Sequence, residues 1–577
     1  MTVLGAAVAE LRQMTARALE SLGVVGAAVA VVQDDEVLLC EGFGCRDLAS
    51  GQKVDAETLF AIGSSTKAFT TLSVALVAED GQLDWDASVR RYLPEFALRD
   101  PFASAEVSAR DMACHRVGLP RHEAVWYKAD LSRAEIVERV RHLEPSRPFR
   151  TTFQYQNMMF TTLGYLVERV SGKTWEAFAK ERILDPLGMT RTNFSVQRSQ
   201  ADPNHARPYK DQDGTSREVA FADLGAIGPA GSINSCARDL AKWLRLHLGA
   251  GEVDGRRVAA EASLAMVHMP HIVLPPSDRD ERRRAAAYGL GWFTEVYQGV
   301  PVVHHGGNID GFTALVLLVP GRRLGVAVLC NQEISVLPTA VAYTVVDRLL
   351  DLPRRDWPAY LKAERDKMLG VARQAGDFSA ERVAGTRPTH PLEAYAGDYD
   401  HPAYGTVTIA SDAEGLALRY HMWPEALRLE HFHYDVFVVR AELETIPMAL
   451  RMPFRLGLDG AVEAFDLQIE PAVAPATFRL RAVRPVLSQA DLERYAGGYV
   501  LAGIQKVRVE AAGDGPLPPS SRASRRFGSR PRAATASAPR ACPASPCSSR
   551  SGPTARAGAA VSTRRTAACR SSAPRPS

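Results

Sequence analysis

The sequence predicts an α/β domain whose sheet is built from both of its ends, followed by a small all-β barrel and a disordered tail. Three observations predict it: apolar hairpins at either end of residues 1–352, helical periodicity between them, and a change of texture after about residue 390. The first hairpin runs from Gly26 to Val32, turns at Gln33-Asp34-Asp35 and returns through Glu36 to Cys40. An apparent helix precedes it, from about Val8 to Leu22. The second hairpin is Thr313 to Val319, a Pro320-Gly321 turn, and Leu324 to Leu329. Between them Leu163, Leu166, Val167 and Val170 keep the i, i+3, i+4, i+7 spacing of a helix face, and Gly172 stops it. A last helix is expected from about Val336 to Leu350.

Residues 353–390, rich in charge and proline, read as a helix and linker. Short strands with turn signals follow, as in Tyr404 to Ile409 and Asp435 to Val439, which predicts a small antiparallel barrel or sandwich over 391–485. Leu392-Glu393-Ala394-Tyr395-Ala396-Gly397-Asp398-Tyr399 recurs 100 residues later as Leu492-Glu493-Arg494-Tyr495-Ala496-Gly497-Gly498-Tyr499. A second, incomplete copy of the barrel is therefore expected over 486–515. Beyond Leu517 the chain is almost entirely Pro, Ser, Ala, Arg, Gly, Thr and Cys, which cannot form a core. Residues 516–577 read as disordered. A basic binding tail, a linker of no specific role and a shifted reading frame in a GC-rich gene compete to explain them.

Composition sets the broad class. Hydrophobic residues at 46% and charged residues at 23% of 577 fit a soluble globular protein of two to four domains. The net charge of +3 conceals an asymmetry: Gly515 to Ser577 holds twelve arginines and no Lys, Asp or Glu, which leaves −9 on the rest. A mildly acidic body argues against nucleic acid as a partner. Glu10, Arg12, Gln13 and Arg17 interrupt the N-terminal segment, and the apolar run Val24 to Val32 is too short to span a bilayer. The expectation is a cytoplasmic protein with no membrane partner. Of the eight cysteines five are scattered through the body without a disulfide framework, and Cys40 and Cys45 read as two buried thiols.

Three groups of residues carry chemistry. In Gly63-Ser64-Ser65-Thr66-Lys67, followed by an apolar helix, Ser64 and Lys67 sit one turn apart on one face. A serine hydroxyl needs a base within hydrogen-bonding reach, and a lysine with a depressed pKa can serve. In Tyr155-Gln156-Asn157, before a helix expected near Phe160, an extended backbone projects Tyr155 and Asn157 to the same side. In Val302-Val303-His304-His305-Gly306-Gly307-Asn308 the small residues let a substrate backbone approach an edge strand. His304 and His305 point to opposite faces there and cannot jointly chelate a metal, and His305 is expected to face a cleft. His431 and His433 share a strand face, where packing in the barrel is favoured over metal binding. No metal, nucleotide or flavin motif is visible, so no cofactor is expected.

In this order and spacing the three groups resemble the serine β-lactamase-related, penicillin-binding-protein-like family, which includes class C β-lactamases, D-aminopeptidases and family VIII carboxylesterases. His115-Arg116-Val117-Gly118-Leu119-Pro120, Leu184 to Met189 and Gly228-Pro229-Ala230-Gly231-Ser232 add to the resemblance, which covers roughly residues 10–350. It implies a β-lactamase/transpeptidase-like fold, an antiparallel sheet flanked by a helical region. It also implies an acyl-enzyme on Ser64, with Lys67 beside it and Tyr155 as base or sharing that role. Asn157, His305, Gly306 and Gly307 would bind substrate, and the backbone N–H groups of Ser64 and Asn308 would form the oxyanion hole. The β-lactamases usually carry Lys-Thr-Gly where this chain has His305-Gly306-Gly307, which favours an esterase, amidase or peptidase over an efficient β-lactamase. Residues 392–484 are similar to the lipocalin-like barrel of some relatives, which leaves room for a homo-oligomer. The competing readings are a catalytically silent relative that binds a ligand or acts as a scaffold, and a nucleic-acid binder acting through its tail. A scaffold would not require Ser64, Lys67, Tyr155 and Asn157 together.

Overall fold

The structure, a computed structural model, describes residues 3–212, 214–275, 280–374, 379–443, 446–482, 497–501 and 505–509. The two hairpins expected at the ends of the first domain meet in the middle of one antiparallel sheet. Strand Gly26–Gln33 pairs with Leu324–Cys330, with Val29 opposite Val328, and the sheet continues on both sides. Its eight strands run in the order Glu36–Gly44, Gly26–Gln33, Leu324–Cys330, Phe312–Val319, Val300–Ile309, Phe293–Tyr297, Arg283–Tyr288 and Ile272–Val273.

The apolar runs of the central strands do not alternate with polar residues because both sheet faces are covered. Ala28, Ala30, Val316, Leu318 and Leu329 face one layer, where the helices Thr66–Glu79, Asn157–Ser171 and Ala237–Leu248 lie. Val29, Val31, Leu317, Val326 and Val328 face the other, formed by the helices Val3–Ser21 and Leu337–Leu349 and by Trp357 at the start of the helix Trp357–Gln374. Gly172, in the left-handed region at φ 73°, ends the helix Asn157–Ser171. That helix begins three residues earlier than the apolar spacing suggests, because the Gln156 side chain accepts from the Met158 N–H and caps it.

The second region is a closed eight-stranded antiparallel barrel in chain order, from Gly397–His401 to Ala476–Leu480, closed where Tyr399 pairs with Leu480. Aromatic rings fill its interior. Phe465 stacks on Phe478 with centroids 5.1 Å apart, and Tyr395, Tyr399 and Phe437 close around Phe454. A barrel of eight strands is just wide enough for side chains to fill, and here they do. His431 and His433 straddle a bulge; the first is 2.9 Å from the Tyr434 carbonyl, and the second accepts from the Val383 N–H. Of the expected partial repeat, the described residues are Gly497–Leu501 and Gln505–Val509, an antiparallel hairpin. It pairs Tyr499 with Val507, as the barrel's first hairpin pairs Tyr399 with Val407. The tail over 516–577 lies outside the described residues. Among the described residues no helix is long and apolar enough to cross a membrane, and Cys40 and Cys45 are half-buried free thiols.

Candidate active site

The site forms where the turn Gly63–Ser65 meets the far end of the strand Val300–Ile309. Up to His304 that strand is paired on both sides, and from His305 onward it is paired only with Phe312–Val319. The edge expected from sequence is therefore a local one, and the turn fills it. Two glycines permit the contact. A Cβ on Gly307 would lie 1.8 Å from the Ile62 carbonyl oxygen, and one on Gly63, whose φ is +48°, would lie 3.0 Å from the Asn308 nitrogen. The Ser65 hydroxyl donates to the His305 carbonyl at 3.0 Å and ties turn to strand. Ser65 is thereby consumed in structure and buried, whereas Ser64 is partly exposed.

Lys67 starts the helix behind Ser64 and has no solvent exposure. Its Nζ lies 3.0 Å from the Ser64 Oγ, donates to the Ala230 carbonyl at 2.8 Å, and lies 4.7 Å from the Tyr155 ring centroid. Burial, reinforced by the Arg121 cation, pushes its pKa well below the ordinary lysine value. The Gly228–Ser232 segment supplies that carbonyl and is fixed on the same helix, Thr70 donating to the Pro229 carbonyl at 2.6 Å.

Tyr155 is held by the His115–Pro120 segment. The Gln156 N–H donates to His115 Nδ1 at 3.0 Å, the Gln156 side-chain amide donates to the Pro120 carbonyl at 2.6 Å, and the His115 ring packs on Tyr155 at 4.4 Å. Burial raises the Tyr155 pKa, with hydrogen bonding to Ser64 opposing it, so the phenol keeps its proton. Burial lowers the His115 pKa, with the Arg121 cation adding to it, so that imidazole is neutral.

His305 is placed differently from expectation. Its imidazole is 2% exposed and turns inward, with Nε2 2.9 Å from the Tyr288 hydroxyl and Nδ1 2.6 Å from the Gly306 carbonyl. A carbonyl only accepts, so Nδ1 carries the proton and Nε2 accepts from Tyr288. Burial pulls its pKa down to about 3, and it offers neither a cation nor a free nitrogen to a cleft. The reason is steric: Tyr288, Phe293 and Tyr155 enclose the position to which the strand's alternation directs the ring. Gly306 is left at the partly exposed edge.

Asn157 opens its helix and is 6% exposed. Its Nδ2 donates to Glu123 Oε1 at 3.2 Å, and Arg121 Nε donates to the same oxygen at 2.9 Å. The Arg121 guanidinium lies 5.1 Å from the Tyr155 ring centroid, half-exposed at the mouth of the site. Sequence reading missed Arg121, Glu123 and Tyr288. The signal for the first two was their place directly after the His115–Pro120 motif. The barrel grips the same loop: the Glu470 carboxylate accepts from the His122 N–H at 2.8 Å, and Tyr420 donates to the Ala124 carbonyl at 2.7 Å.

Residues 11–349, more than half the chain, match the family model described as Beta-lactamase. The chain belongs to the beta-lactamase family. It is 30% identical over 525 residues to "Unguisins hydrolase ungD'" of Aspergillus campestris, covering 87% of this chain and 96% of that one. It is 26% identical over 329 residues to "Protein flp" of Staphylococcus aureus strain N315, covering 56% and 62%. The octameric penicillin-binding protein homologue from Pyrococcus abyssi has the same fold at a TM-score of 0.54 and 22% identity, covering 82% of this chain and 99% of that one. Residues 381–480, which span the barrel, match a domain of unknown function designated DUF3471.

Proposed function

We propose that this family member is a serine hydrolase that cleaves an ester or amide bond through an acyl-enzyme on Ser64. The observation that carries the reading is the 3.0 Å contact between Ser64 Oγ and the Nζ of a wholly buried Lys67. In the reaction Ser64 Oγ attacks the carbonyl carbon while its proton passes to the neutral Lys67 amine. The oxyanion that forms takes hydrogen bonds from the Ser64 and Asn308 N–H groups. Tyr155, protonated at neutral pH, gives its proton to the leaving oxygen or nitrogen, and the Lys67 ammonium restores it. Water then attacks the acyl-enzyme along the reverse path. Of the two bases open from sequence, the opposed pKa shifts favour Lys67 as base and Tyr155 as acid. A neutral, buried His305 leaves no cation at the third motif, which supports an ester, peptide or other amide substrate over a β-lactam. The fungal relative is itself named a hydrolase.

Intact-mass spectrometry after exposure to a fluorophosphonate tests the reading. The expected result is one adduct per chain, absent from Ser64→Ala; no adduct on a folded, monodisperse protein overturns it and moves the weight to a ligand-binding or scaffold role. The approach of strand to turn gives a second expectation. Gly307→Ala inserts a Cβ against the Ile62 carbonyl and forces the Asn308 N–H away from Ser64. Turnover of a 4-nitrophenyl ester should fall by about 100-fold, the scale of a 1 Å misplacement at a reacting centre. A rate within threefold of the parent would show that the two N–H groups do not act together.

A further inference from the structure

We infer that Tyr127 limits the length of the acyl group that the site accepts, by bridging the cleft beyond the oxyanion hole to Asp310. The inference rests on the hydrolase reading and extends it to a substrate class. Two walls flank Ser64. One is the edge of the strand Val300–Ile309, where Gly306 to Asn308 lie. The other is the loop from Arg121 to Tyr127, which reaches the site where Glu123 meets Asn157. The Tyr127 hydroxyl crosses from the loop to the end of the strand and donates to both Asp310 carboxylate oxygens, at 2.7 and 2.9 Å. Lys128 adds an ion pair to the same carboxylate at 3.6 Å, and its Nζ lies 4.9 Å from the Tyr127 ring centroid. Tyr127 is 8% exposed, so the tie is a buried one.

The bridge stands at the acyl end of the cleft. In the hydrolase reading Tyr155 gives its proton to the leaving atom, and its ring centroid lies 5.1 Å from the Arg121 guanidinium and 6.3 Å from the His305 ring centroid. The leaving group therefore departs toward His305. In the same reading the Asn308 N–H holds the oxyanion, so the rest of the acyl group runs the other way along the strand, toward Asp310. Asp310 is two residues past Asn308, about 7 Å at the rise of a strand. Both ends of the bridge are anchored. On the strand side Gly311 packs so closely that a Cβ there would lie 2.2 Å from the Pro208 Cβ, and its carbonyl accepts from the Tyr209 N–H at 3.3 Å. On the loop side the Tyr127 N–H donates to the Glu123 carbonyl at 3.0 Å, and the Ala124 carbonyl receives the Tyr420 hydroxyl at 2.7 Å. A long chain cannot pass without breaking the hydrogen bonds to the Asp310 carboxylate. The substrate class is an ester or amide of a short acyl group, in preference to a long alkanoyl or extended peptidyl one.

The experiment compares 4-nitrophenyl butanoate with 4-nitrophenyl octanoate on the full chain, on Tyr127→Ala and on Asp310→Ala, which open the bridge from opposite walls. The readout is the ratio of kcat/KM for the two esters within each protein, which an overall loss of activity does not alter. The parent should favour the butanoate at least tenfold, the factor for breaking one hydrogen bond to a charged group. In each variant the ratio should fall to within threefold of one. Ethyl and octyl butanoate vary the alcohol instead, and their ratio should stay within threefold of the parent's, because the bridge acts on the acyl end alone. If neither alanine variant folds, Tyr127→Phe removes only the hydroxyl, and the acyl ratio should fall at least threefold. Equal rates on the two acyl lengths in the parent, a preference that the variants keep, or an alcohol ratio that moves as far as the acyl ratio would overturn the inference while leaving the hydrolase reading intact. A parent that turns over no ester and takes no fluorophosphonate would remove both.

Discussion

Ser64→Ala should reduce kcat on a 4-nitrophenyl ester by at least about 10⁴-fold, because no other nucleophile can take its place. Ser65 is adjacent, but its hydroxyl is spent on the His305 carbonyl and the residue is 2% exposed. The same contact predicts that the variant folds. The turn is tied to the strand by Ser65, by the Gly307 approach and by the Ile62 N–H on the Ile233 carbonyl, none of which uses the Ser64 side chain. The melting temperature should therefore stay within about 3 °C of the parent, as for a substitution that touches no packing. Groups that act on one reaction are not additive, so Ser64→Ala combined with a Lys67 substitution should be no slower than Ser64→Ala alone. A residual rate within 100-fold of the parent would mean that turnover does not pass through Ser64. Ser65→Ala makes the complementary control: loss of its hydrogen bond should lower the melting temperature more than Ser64→Ala does.

The sheet was legible in the sequence because its strands are apolar on both faces and their turns are marked by Asp34-Asp35 and Pro320-Gly321. That the two hairpins pair with each other, Val29 opposite Val328, follows from the need to bury both faces of each. Ser64 and Lys67 were legible through helical spacing alone, and the 3.0 Å contact is what that spacing implies. The inward turn of His305 was not, since period-two alternation assigns a side of the strand but does not say what fills it. Here Tyr288, at the end of a strand two places away in the sheet, provides a hydroxyl that satisfies the ring. Glu123 and Arg121 escaped for a related reason. They belong to a loop with no periodicity, and its shape depends on Tyr420 and Glu470 of the barrel, 296 and 348 residues from their partners in the chain. Such contacts leave no mark on local sequence.

Lys67 carries the second large effect, and it points in two directions at once. Lys67→Met should lower kcat by about 10³-fold, within the range for loss of a general base, and at the same time make the protein more stable at neutral pH. The unfolded chain holds Lys67 near the ordinary lysine value of 10.5, whereas burial and Arg121 hold it well below that in the fold. Between those two values the unfolded state binds a proton that the folded state does not, so the stability of the parent rises with pH through that window. At pH 7 burial of this lysine therefore opposes folding, and methionine removes the opposition with a side chain of similar length. The loss of the Lys67 donor to the Ala230 carbonyl offsets part of the gain, leaving a net stabilisation of about 1–2 kcal/mol. Denaturation with urea at several pH values checks the sign. The advantage of Lys67→Met should be largest at low pH, shrink as pH climbs, and vanish above the ordinary lysine value. The same shift fixes the parent's activity profile, in which kcat/KM rises with pH through the depressed Lys67 value as the amine loses its proton. A variant that is less stable than the parent at every pH, or a parent whose acid limb lies near 10.5, would show that Lys67 is charged in the folded protein. The proton from Ser64 would then have to pass to Tyr155.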